Sequence, residues 1–230
     1  DKNGPVQGEK WMIAVANPYA AEAGLKILRQ GGSATDAAIA AQLVLNLVEP
    51  QSSGIGGGAF LIHFDGKSNE ISTYDGREKA PATASPEMFM NMDGTPKKFF
   101  DAVVGGKSVG VPGVLRMLET AHKEKGITQW AKLFQPAIEL AEKGFVVSPR
   151  LNSLIKKDKY LKVYATTEAY FHTNKGTALE VGLVLKNRPF AKTLRLIAQN
   201  GADAFYKGAI AQRIVDTVNG ASKNPGVLSM

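Results

Sequence analysis

From Ala37 to Val48 the chain carries only two polar side chains, Gln42 and Asn46, set one helical turn apart. A helix that is apolar on nearly its whole surface is buried on most of it, so other elements must wrap around this segment. Its ends are legible too. Gly31-Gly32 stop a preceding helix, Ser33 is placed to cap the next, and Asp36 is placed to return the bond as a capping-box acid. Glu49-Pro50 closes the helix, because proline disfavours helical geometry in the residue before it. After the glycine cluster Gly54-Ile55-Gly56-Gly57-Gly58 comes a strand-like run, Ala59 to Phe64, then the turn signal Asp65-Gly66. An alternating run from Glu70 to Arg77 completes a hairpin, which Ala80-Pro81 ends.

Four glycines in five residues need a reason, since each adds chain entropy that folding must overcome. Phosphate-cradling loops run from a strand into a helix, so that amides at the helix N-terminus face the anion. This loop runs from a helix into a strand, which argues against nucleotide binding. The reading that fits is close approach, a backbone passing tightly against another segment or a ligand.

The rest of the chain is predominantly helical. Residues up to Lys10 read as a lead-in and Met12 to Ala16 as a short strand. Asn17-Pro18 supplies an N-cap and a first-turn proline for a helix over Tyr19–Gln30. Gly24 lies inside that helix at a cost of about 1 kcal/mol against alanine, which tight packing on the next helix would justify. Residues 82–106 form a looser region with a short helix around Glu87 to Asn91. Further helices are predicted over 113–125, 128–143, 149–159, 191–200 and 208–219, with Gly176 to Leu185 extended. No repeat or linker divides the 230 residues, which read as one unit with no internal boundary.

Composition excludes several classes of function. With 44% hydrophobic residues the chain can bury a real core, yet no run is long and apolar enough to span a membrane. The absence of cysteine removes disulfides, thiol catalysis and thiolate metal sites, and leaves the compartment open. Asp1-Lys2-Asn3-Gly4-Pro5 is polar and unlike a signal peptide. The net charge of +7 invites an anionic partner. Its one cluster, Lys156 to Tyr164, interleaves lysines with aromatics as single-strand nucleic-acid surfaces do. That run contains no arginine and lies in no recognised binding motif, so it reads as a solvated face, with no nucleic-acid partner.

Few residues present themselves for chemistry. His63, His122 and His172 show no metal-ligand spacing, and no Gly-x-Ser-x-Gly elbow occurs. His63 reads as a packed hairpin residue and His122 as a solvated one on a charged helix. Arg77 stands out. Strand alternation puts Asp75 and Arg77 on one face and Gly76 and Glu78 on the other. A guanidinium donates two parallel hydrogen bonds to a carboxylate, a geometry lysine cannot reproduce. Of two roles, a substrate anchor and a salt bridge to Asp75 or Glu78, the residues alone favour the salt bridge.

Several blocks, in order, resemble the gamma-glutamyltranspeptidase family: 31–38, then Glu49-Pro50 with 53–58, and Asp75-Gly76-Arg77-Glu78-Lys79-Ala80-Pro81. Gly110-Val111-Pro112-Gly113, the stretch 135–145 and the stretch 201–208 continue the resemblance along most of the chain. It implies an α/β fold, the layered αββα sandwich of N-terminal nucleophile hydrolases, with the Phe60 and Tyr74 strands feeding a central sheet. On this resemblance the chain is an incomplete part of that fold, the N-terminal part of a large subunit. The implied reaction is gamma-glutamyl transfer from glutathione or a related donor to water or an amino acid, without a cofactor or a metal. Arg77 is the implied substrate-binding residue, gripping the alpha-carboxylate of the donor.

The nucleophile of such enzymes is a threonine exposed by self-cleavage, and it is expected beyond Met230, so no catalytic residue is assigned here. Thr166-Thr167 is followed by Glu168 where the motif needs histidine. The implied partner is the protein's own C-terminal segment, as the small subunit of a heterodimer, and the implied location is periplasmic or secreted. The isolated 230-residue chain is expected to be inactive. Two alternatives stay open: a related amidohydrolase or acylase with another acyl group, and a non-catalytic binding module keeping the scaffold.

Overall fold

The computed structural model describes Gly4 and residues 7–230; of the lead-in, residues 1–3, 5 and 6 lie outside the described residues. The elements in chain order are α1 (Pro18–Arg29), α2 (Ala34–Val48), β1 (Ala59–Asp65), β2 (Glu70–Gly76), α3 (Phe99–Val103) and α4 (Val114–Lys125). There follow α5 (Trp130–Lys143), β3 (Phe145–Val146), α6 (Pro149–Lys157), α7 (Ala165–Phe171), β4 (Val184–Leu185), α8 (Arg188–Asn200), α9 (Asp203–Tyr206) and α10 (Gly208–Asn219). They build two compact units. One takes the chain up to Gly54 together with Thr120–Gln199, the other Ile55–Glu119 together with Asn200–Met230. Each unit is assembled from two separated stretches, and one division falls inside α4, so no linker in the sequence could mark the boundary.

In the first unit α2 is the buried element, packed by α1 and α5. Ile39, Ala40 and Leu43 are fully buried, as the apolar run requires. The capping box forms as read: the Ser33 hydroxyl accepts from Asp36 N–H at 3.1 Å, and Asp36 Oδ2 accepts from Ser33 N–H at 3.0 Å. Gly24 earns its place in α1, since a Cβ there would lie 3.0 Å from the Ala37 carbonyl of α2. Asn17 caps α1 through Tyr19 N–H and also donates to Glu49 Oε1 at 2.8 Å, tying the start of α1 to the end of α2.

Asp36 does more than cap. Its fully buried Oδ2 also accepts the N–H groups of Ile127 and Thr128, at 3.0 and 2.9 Å. Gln129, with φ of −56° and ψ of 130°, lies outside helical geometry, so α5 opens at Trp130 rather than at Thr128. Leu133, Phe134, Ala137, Ile138 and Ala141 form its buried stripe, as their spacing predicts. Gly144 ends it with φ of +101°, in the left-handed region.

Other expectations need correction. Met12 to Ala16 is not a strand: it runs without a ladder partner among the described residues and lines a cleft of about 260 Å³ against α2. His122 is not solvated. Its side chain is 15% exposed and Nε2 donates to the Thr128 carbonyl at 2.7 Å. Helix α6 stops at Lys157, because the Asp158 carboxylate folds back onto the N–H groups of Tyr160 and Leu161. Helix α8 begins at Arg188, earlier than its apolar pattern shows, with Asn187 Oδ1 accepting from Phe190 N–H.

In the second unit the β1–β2 hairpin forms in the antiparallel register Ala59↔Gly76 to Asp65↔Glu70. Phe60, Ile62, Phe64 and Ile71 are exposed, while Ala59, Leu61 and His63 on the opposite face are half-buried. Among the described residues the strands make two two-stranded sheets, β1–β2 and β3–β4, the latter in the first unit. After α10 the chain is strapped down: Asn219 Nδ2 donates to the Leu228 carbonyl and its Oδ1 accepts from Leu228 N–H. Asn224 donates to the carbonyls of Asp101 and Val104. An ion cluster joins α4 to α9, with Arg116 reaching Glu119 and Asp203 and lying over the Tyr206 ring.

Candidate functional site

The second unit gathers three glycine-bearing segments around Arg77. The ladder of β2 ends at Gly76, so Arg77 stands one residue past the strand rather than within it. Gly76 has no room for a side chain, since a Cβ there would lie 2.5 Å from Met117 Cβ of α4. Two residues beyond Arg77 the chain has changed partner: Lys79 N–H donates to the Val111 carbonyl at 3.1 Å, and Val111 N–H to the Lys79 carbonyl at 2.8 Å. Arg77 and Glu78 therefore occupy the switch between one antiparallel pairing and the next.

Gly110 and Gly113 bracket that second pairing. A Cβ on Gly113 would sit 2.4 Å from the Gly76 carbonyl oxygen and 2.7 Å from that of Arg77. One on Gly110 would sit 2.9 Å from the Lys79 oxygen. The glycine cluster closes the third side. The Gly57 carbonyl accepts N–H bonds from Gly113 and Val114, both at 3.1 Å, where α4 begins. A Cβ on Gly58 would meet the Glu78 carboxylate at 2.5 Å and the Glu78 backbone nitrogen at 2.8 Å. The close-approach reading of the cluster thus holds at Gly58. It does not extend to Gly56, where an added Cβ would meet nothing within 4 Å. None of the cluster's four glycines has a positive φ, so proximity and not backbone conformation selects glycine at position 58.

Arg77 itself is exposed. Its backbone N–H donates to Asp75 Oδ1 at 2.8 Å, and its guanidinium has no ion-pair or hydrogen-bond partner among the described residues. The salt bridge to Asp75 or Glu78 does not form: Asp75 receives the backbone and Glu78 lies against Gly58. The result is a charged planar donor on a tightly held backbone, competent to grip a carboxylate in two parallel bonds.

No other candidate gathers chemistry around it. His63 pairs in register with Ser72, and His172 is buried at the bridge to Ala178. Among the described residues no cluster of three or more metal-capable side chains occurs. Thr166 and Thr167 lie in α7, where the Thr167 hydroxyl donates to the Tyr164 carbonyl. In the lysine run Tyr160 and Tyr164 are half-buried, so no exposed stacking platform accompanies the exposed Lys156, Lys157 and Lys159. Sequence reasoning missed the parts played by Asp75, Glu78, Gly110 and Gly113. Asp75-Gly76 carried a usable signal, since aspartate commonly bonds the backbone two residues on.

Comparison with known proteins supplies the remaining findings. Residues 20–230 match the family model described as gamma-glutamyltranspeptidase. A glutathione hydrolase proenzyme of Bacillus subtilis is 42% identical over 211 residues, covering 92% of this chain and 36% of the relative. The crystal structure of Helicobacter pylori gamma-glutamyltranspeptidase superposes with a TM-score of 0.92 at 30% identity, over 98% of this chain and 64% of that one. A cephalosporin acylase from Bacillus halodurans gives a TM-score of 0.78 at 29% identity, over 100% of this chain and 44% of that one. The chain thus spans about a third of the length of the curated relative and shares the α/β fold of these enzymes over nearly all its residues.

Proposed function

The chain belongs to the gamma-glutamyltranspeptidase family, and from that premise we propose that it is the substrate-anchoring part of an enzyme transferring gamma-glutamyl groups. The observation carrying this reading is Arg77: an exposed guanidinium, unpartnered among the described residues, on a backbone held by three neighbouring segments. Its role is to bind the alpha-carboxylate of glutathione or a similar donor. In the complete protein a threonine hydroxyl, freed at a new N-terminus by self-cleavage, attacks the gamma-carbonyl. Its proton passes through the free amine to the departing amine, leaving a threonyl gamma-glutamyl ester. Water or an amino acid then takes the acyl group and restores the hydroxyl. The 230 residues offer the anchor without that nucleophile, and the partner is the segment carrying it, in a heterodimer. The location that goes with this reading is secreted or periplasmic, on the family resemblance alone; no helix among the described residues is long and apolar enough to cross a membrane.

The likeness to a cephalosporin acylase favours a second reading, an acylase with a different acyl group carrying a carboxylate. Kinetics of the complete protein on a gamma-glutamyl anilide and a glutaryl anilide separate the two. With the gamma-glutamyl donor, Arg77→Lys should lower kcat/KM by about 30- to 1,000-fold, about 2–4 kcal/mol, because lysine keeps the charge but loses the two parallel hydrogen bonds to the carboxylate, with Tm unchanged. Residues 1–230 alone should give no turnover on either substrate. Wild-type kinetics in Arg77→Lys would return the arginine to a structural role, and preference for the glutaryl donor would favour the acylase.

A further inference from the structure

We propose that Asp75 is a positioning residue for Arg77, setting the aim of the guanidinium by holding the arginine's backbone. The inference rests on the reading of Arg77 as the carboxylate anchor. Its own evidence is the break in pairing between Gly76 and Lys79. Hydrogen bonds of the β1–β2 ladder end at Gly76, and those to the Gly110–Gly113 segment begin at Lys79. Between them the Arg77 N–H belongs to neither ladder and is taken at 2.8 Å by Asp75 Oδ1. On its other side Arg77 is met by Gly113, whose position leaves no room for a Cβ beside the Gly76 and Arg77 carbonyls.

The arginine's N–H is thus fixed by a side chain, while Gly113 packs closely beside its C=O. Asp75 is exposed and forms no ion pair with Arg77, so its contribution is to geometry rather than to charge neutralisation. A long side chain magnifies any rotation at its root. Releasing the N–H lets the backbone at Arg77 turn and carries the guanidinium off the carboxylate, and a displacement of about 1 Å is enough to weaken a bidentate grip.

The test uses the complete, self-cleaved protein with the variants Asp75→Ala, Asp75→Asn, Asp75→Ser, Arg77→Lys and Asp75→Ala/Arg77→Lys. Two donors are compared: L-gamma-glutamyl-p-nitroanilide and 4-aminobutyryl-p-nitroanilide, which lacks the alpha-carboxylate. Asp75→Ala should raise KM for the gamma-glutamyl donor about tenfold, the worth of one charge-assisted hydrogen bond, with kcat within about twofold. On the 4-aminobutyryl donor it should change nothing. Asp75→Asn keeps an oxygen at the same place and should recover KM to within about threefold of wild type, with Asp75→Ser between, through its shorter acceptor. In the Arg77→Lys background Asp75→Ala should add little, since both act on one contact.

If Asp75→Asn is as impaired as Asp75→Ala, the charge itself meets the substrate and the positioning role is wrong. Equal losses on both donors, or a lowered Tm, make Asp75 a structural residue and also overturn it. Impaired Arg77→Lys with unimpaired Asp75→Ala refutes the positioning role while leaving the anchor standing. An unimpaired Arg77→Lys removes the anchor and this proposal with it.

Discussion

Asp36→Ala is the substitution whose cost the structure specifies most closely. The carboxylate is fully buried, and Oδ2 gathers N–H groups from Ser33, Ile127 and Thr128 within 3.0 Å. A hydrogen bond to a charged acceptor contributes about 1.5–3 kcal/mol, and a buried donor left unpaired costs about 1–3 kcal/mol. Three such losses, reduced by water entering the space vacated, come to about 3–5 kcal/mol in urea unfolding of the complete protein. Asp36→Asn keeps one accepting oxygen but loses the charge, and should cost about 1–3 kcal/mol. The same geometry fixes the pH dependence. Burial pushes the carboxyl's pKa up, but the N–H groups of Ile127, Ser33 and Thr128 outweigh it, so the group titrates below the 3.8 of an unperturbed aspartate. A lowered folded-state pKa contributes stability that is complete above the unfolded value and lost as pH falls through the folded one. Stability should therefore decline below pH 3.8 in the wild type and less steeply in Asp36→Asn. A cost under about 1 kcal/mol for Asp36→Ala, or identical acid limbs in the two proteins, would refute the reasoning.

Gly58→Val should abolish soluble, self-cleaved protein, because a side chain would collide with the Glu78 backbone, whereas Gly56→Ala should be tolerated in open space; yield and thermal melting decide this. Asp203 offers a surface counterpart to Asp36: hydrogen bonds from Lys207 and then Arg116 bring its pKa to about 2. Its stabilising contribution is present above the unperturbed 3.8 and disappears toward pH 2, so Asp203→Asn should flatten that part of the acid unfolding curve, and an unchanged curve would discount the pair.

What could be read without a structure was whatever repeats over a few residues. The α2 burial, its Ser33–Asp36 capping box, the Asn17 cap and the presence of the hairpin all depend on separations of two to four residues or on a short turn. Ordered blocks from Gly31 to Gly208 carried the family in the same way. Met12 to Ala16 shows the limit: a short apolar run is only a strand if another strand lies beside it, and the residues cannot say whether one does. Arg77 was legible as a candidate from its block, but its freedom from Asp75 and Glu78 was not.

The amino-acid sequence by itself determined the longer helices, though not the short α3, α7 and α9, and it determined which helix is buried, where the hairpin turns and to which family the chain belongs. Tertiary structure alone decided that Asp36 would hold a loop 92 residues away, and that Gly58, Gly76 and Gly113 would be among the glycines with no room for a side chain. It also decided that the Arg77 backbone would be held while its guanidinium stayed open. The reason is range. Periodicity and caps arise from bonds between near neighbours, whereas close approach and shared acceptors depend on which distant segments the packed core brings together.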